Sequence, residues 1–106
     1  MIKQLNESKK LAEFVDVLAN YYDLQNCRPT VFIYVMLISA LRAKVNITDA
    51  TLVRALQKSV CLYDFLVLLA THYDMQNKEF KLEHKQAMIN NIDNIIRMTS
   101  CKKIPR

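Results

Sequence analysis

The side chains of this chain that could move protons, attack as nucleophiles or hold a metal near neutral pH are His72, His84, Cys27, Cys61 and Cys101. A catalytic base needs a partner that orients it and shifts its pKa. His72 has Asp74 two positions on, but residues two apart on a helix point to different faces. His84 lies five residues beyond Glu79, with Lys81 and Lys85 beside it. Both histidines therefore read as surface or packing residues. The three cysteines form no CxxC pair, which argues against a zinc site or a disulfide framework and for reduced thiols in the cytoplasm. No helical Glu-x-x-His pair of the kind used by di-iron bundles occurs. There is no glycine, which removes the P-loop, the GxGxxG turn and the GxSxG elbow, each of which needs backbone without a Cβ beside a phosphate or nucleophile. The expectation is a protein that is not an enzyme, with no catalytic residues, no metal and no cofactor.

The elements that would position any other function are helices. In 106 residues, 52% are apolar and 24% charged, only two are proline, and turns must be built from Asn or Asp. One core fits this length, so a single all-α domain is expected over residues 1–98, followed by a flexible basic tail over 99–106. The domain contains a repeat. Sliding the chain by 51 positions sets Phe14 to Asn26 against Phe65 to Asn77 with seven of thirteen pairs identical, and the register continues through Leu11 and Leu62, Leu37 and Met88, Ile38 and Ile89, and Leu41 and Ile92. Two units, about 1–47 and 52–98, would each be a helical hairpin too small to close a core alone. The fold class is all-α, with four to five helices and a duplicated hairpin forming a four-helix bundle-like domain.

Apolar spacing predicts a first helix over about 6–25, capped by Asn6, and a second over about 29–44, with Pro29 in its first turn. A third runs from a cap at Thr48 or Asp49 to about Met75, bent near Ser59, and the last covers about 79–98 with Lys85 on its polar side. The shared strings Tyr22 to Asn26 and Tyr73 to Asn77 read as helix C-terminal caps. The second helix is apolar nearly all round, so it should be buried on several sides, with Phe32, Ile33, Tyr34, Met36 and Leu37 as candidate protein-interface residues. Its surplus apolar surface suggests self-association or a protein partner. On this reading the chain is a small non-enzymatic interaction module, a homo-oligomer or a complex subunit; small regulators and inhibitors from phages or other mobile elements share such a composition. No apolar run is long enough to cross a bilayer, and the N-terminus lacks the pattern of a signal peptide.

Nucleic acid is the alternative partner. The net charge is +5, and Arg42, Lys44, Arg54 and Lys58 cluster where Asp49 is the only acid between Asp23 and Asp64. The segment from Leu41 to Leu56 resembles the turn and recognition helix of the helix-turn-helix family, with Arg42 at a position that usually holds a small residue and Asn46 in place of the turn glycine. That resemblance implies that Thr48, Asp49, Thr51 and Arg54 would face DNA while Ile47, Leu52 and Ala55 pack inward. An ordinary capped helix with a solvated basic face accounts for the same residues.

Overall fold

A computed structural model describes residues 7, 10–45, 47, 49–75 and 81–99, the side chains of 43–45 excepted. Among the described residues the chain is all-helical. It forms α1 (Leu11–Tyr21), a 3-10 turn (Leu24–Asn26), α2 (Val31–Val45), α3 (Ala50–Gln57), α4 (Leu62–Met75) and α5 (Leu82–Met98). No described helix is long and apolar enough to cross a membrane. Asn6, Gln76, Asn77 and the tail beyond Thr99 lie outside the described residues.

The 51-residue offset recurs in the helix starts. Leu11 and Leu62 open α1 and α4, and Val31 and Leu82 open α2 and α5. Burial follows the same register: Leu11, Phe14, Val15 and Leu18 are buried on α1, as are Leu62, Phe65, Leu66 and Leu69 on α4. Each unit leaves its own two helices apart and closes on the other unit. The main packing is of α1 on α4 and of α2 on α5; neither α1 with α2 nor α4 with α5 makes a comparable pair. The Cys27 sulfur, four residues before α2, sits 3.2 Å from the Thr99 hydroxyl just after α5. The start of α2 therefore adjoins the end of α5, and the two helices run antiparallel.

Four sequence expectations are corrected. First, α1 begins at Leu11 and stops at Tyr21, and the carboxylate that caps it comes from the other unit. The backbone N–H groups of Leu11 and Ala12 donate to Oδ1 and Oδ2 of Asp74, both at 3.1 Å. Asp74 thereby satisfies two of the four orphan donors of α1 and places negative charge at its positive end. It is itself still within α4, so the second Tyr-Asp string ties one helix to another, while its expected capping residues Gln76 and Asn77 lie outside the described residues. In the first string Asn26 Nδ2 donates to Asp23 Oδ2 at 2.6 Å inside the 3-10 turn.

Second, Pro29 precedes α2 instead of entering it, and the Thr30 hydroxyl accepts from the Ile33 N–H at 3.4 Å. Third, the long third helix is two: Asp49 caps α3 by accepting from the Thr51 N–H at 2.8 Å, and a break at 58–61 separates α3 from α4. The break is fixed by the Leu62 N–H donating to the Cys27 carbonyl at 2.7 Å. Fourth, Lys85 is buried. It stands 51 positions after Tyr34, at the core-facing position that Tyr34 fills on α2.

The core is continuous across both units, running from Leu11 and Phe14 through Tyr34, Leu37 and Leu41 to Phe65, Met88 and Ile92. At its centre the rings of Tyr34 and Phe65 stack with centroids 5.0 Å apart and planes within 4°, a favourable aromatic geometry that joins α2 to α4. The Tyr34 hydroxyl is buried and has no hydrogen-bond partner among the described residues. Burial pushes its pKa well above the ordinary phenol value, with the nearby Cys61, Cys27 and Asp64 adding to the shift.

Candidate interaction face on the second helix

Helix α2 is apolar on two sides and buried on one. Tyr34, Leu37, Ile38 and Leu41 recur at three- and four-residue steps and are buried in the core. The opposite side carries Val31, Phe32, Val35 and Met36, which remain 60, 72, 40 and 42% exposed. Burial on several sides, expected from the apolar run, does not occur in this chain. The five candidate interface residues divide accordingly: Phe32 and Met36 are exposed, Ile33 is half-buried, and Tyr34 and Leu37 belong to the core. Val31 and Val35 join the exposed side, although the sequence reading left them out.

Beside this strip an open groove of about 330 Å³ runs between α2 and α5. Met36, Leu37 and Ala40 form one wall, and Asn91, Asn94, Ile95 and Met98 the other, with Arg97 at its edge. Met98 is exposed, so it extends the apolar strip across the groove. Asn91 turns inward on its own helix, donating from Nδ2 to the Ala87 carbonyl at 2.8 Å. Arg97 pairs with Asp93 one turn earlier at 3.1 Å.

The repeat offers an internal control for the strip. At the positions of α5 equivalent to Val31, Phe32, Val35 and Met36 stand Leu82, Glu83, Gln86 and Ala87, the first three also exposed. The places of Phe32 and Val35 therefore accept polar side chains in the second unit, whereas the place of Val31 is apolar and exposed in both. Reading the two units against each other marks Phe32 and Val35 as outward positions, a distinction that composition alone cannot make.

Thr51, Arg54 and Lys58 follow one stripe of α3 and its C-cap, all exposed, and Arg42 is exposed near the end of α2. Thr48 and the Lys44 side chain lie outside the described residues. Ile47 and Leu52 pack inward as the resemblance implies, but Ala55 is exposed. It lines a second open groove of about 290 Å³ between α3 and α4, together with Asp49, Thr51, Leu52, Leu68, Thr71, His72 and Met75.

Among the described residues no three His, Cys, Asp or Glu side chains gather as a metal site would require. His84 has a buried Nδ1 without a hydrogen-bond partner among the described residues, and its Nε2 lies 3.7 Å from Glu83. In comparison with protein families, curated proteins and solved structures, the chain has no match.

Proposed function

We propose that this chain is a non-enzymatic helical module that binds another polypeptide through the outward face of α2. The observation that carries this reading is the exposed strip of Val31, Phe32, Val35 and Met36, in which Phe32 and Val35 stand where the second unit has Glu83 and Gln86. Keeping large apolar side chains in water at about 25 cal/mol per Å² is unfavourable, and the fold does not require it, so a use outside the fold is the physical reason for them. The two described cysteines are unpaired, and a reducing compartment such as the cytoplasm is the proposed setting.

Sedimentation equilibrium of the chain, alone and with candidate partner proteins, tests the proposal. Phe32→Asp or Met36→Asp is expected to weaken any association at least tenfold, about 1.4 kcal/mol or more, while leaving the far-UV circular dichroism of the chain unchanged. Association unaffected by both variants would remove α2 from the interface.

A second reading, nucleic-acid binding through α3, is favoured by the order of elements. An Asp49-capped helix follows α2 after a short connection and shows Thr51, Arg54 and Lys58 on its exposed side. If it holds, fluorescence anisotropy on random-sequence duplex DNA should show affinity falling steeply between about 50 and 200 mM salt, because neutralised phosphates release counterions. Arg54→Glu with Lys58→Glu should then abolish binding; unchanged affinity rejects this reading.

A further inference from the structure

Resting on the reading of α2 as a docking face, we infer that its occupant is an amphipathic α-helix of a different protein, with Asp or Glu flanking its apolar stripe. Three observations lead there. The first is shape: the strip and the adjoining groove lie along two antiparallel helices. Phe32, Met36 and Ala40 recur every four residues on the exposed side of α2, and Ile95 and Met98 oppose them from α5. Such a surface receives a partner helix through anchors spaced at i, i+3 or i+4 and i+7.

The second observation is charge. No acid occurs between Asp23 and Asp49, while Arg28 stands just before α2 and Arg42 near its end, both exposed. Across the groove Arg97 and Asp93 form a surface ion pair of no net charge, so the positive margin is that of Arg28 and Arg42. The face is apolar at its centre and cationic at its margin, which favours carboxylates on whatever covers it.

The third concerns symmetry. A second copy docking through the same face in an isologous dimer would present the same margin to itself. Arg28 and Arg42 would gather around one apolar centre, where among the described residues the Asp93–Arg97 pair adds no net negative charge to offset them, in two chains each of net charge +5. Like charges across an interface oppose the pairing, whereas an acid-flanked helix meets the margin with the opposite sign.

The test uses the full chain and two synthetic 18-residue helical peptides with the same Leu stripe, one flanked by Glu and one by Lys, with binding read by anisotropy. The Glu-flanked peptide is expected to bind at least tenfold more tightly at about 50 mM salt, with the difference shrinking near 500 mM as exposed charges are screened. Phe32→Asp should remove its binding, and Arg28→Glu with Arg42→Glu should reverse the preference between the peptides. Equal binding of both peptides, or preference for the Lys-flanked one, overturns the inference. If neither peptide binds and sedimentation shows a dimer that Phe32→Asp dissociates, the occupant is a second copy; the inference fails while α2 stands as an interaction face. A monomer that takes neither peptide overturns both.

Discussion

Truncating Phe14 or Phe65 to Ala is expected to destabilise the chain by about 3–5 kcal/mol in either case, lowering the midpoint of thermal unfolding by roughly 15–30 °C. Both rings are fully buried at equivalent places, on α1 and α4. Removing either leaves a cavity in addition to the lost transfer free energy. The whole domain is expected to be stable by only about 5–15 kcal/mol, so each truncation takes a large share. The informative part is cooperativity. Because α1 packs on α4 and α2 on α5, neither unit has a core of its own, and Phe65 also stacks on Tyr34 of α2. Damage in one unit should therefore appear in the other, and each variant should unfold in a single transition with coincident near- and far-UV signals. Two transitions, one keeping the midpoint of the unaltered chain, would show that the units fold independently.

How far the sequence showed this arrangement follows from the reach of each signal. Helical periodicity and the 51-residue register are carried by many residues each, and they give the all-helical class and the equivalent core positions. The cap on α1 was hidden because Asp74 lies 63 positions from Leu11, whereas local capping signals span only three or four. Lys85 reads as polar-facing because charge is normally a sign of solvent, although its spacing to Met88, Ile92 and Ile96 places it on the buried stripe of α5. The α2 face was hidden for the opposite reason. From Val31 to Ile38 every residue is apolar, so the 3.6-residue contrast that separates inside from outside vanishes. The basic residues were legible as charges, but nothing in their spacing fixed which surface they would share.

That ambiguity within α2 sets up the second large effect. Leu37→Asp is expected to leave the chain unfolded at 25 °C, while Phe32→Asp, five residues earlier on the same helix, should change stability by less than about 0.5 kcal/mol. Leu37 is fully buried, and an aspartate there would lose the packing of a leucine, about 2–5 kcal/mol, and add an unpaired carboxylate whose desolvation costs several more. The sum matches or exceeds the stability of a domain this size. Phe32 is mostly exposed, and its equivalent in the second unit is already the acid Glu83, so the fold tolerates a carboxylate at that place. Thermal melts followed by circular dichroism, with amide spectra to confirm the native fold, separate the two cases. Unfolding by Phe32→Asp would mean that this side of α2 is needed by the chain itself, and the reason for seeking an external partner there would disappear. A folded Phe32→Asp chain that no longer associates would assign its apolar ring to binding alone.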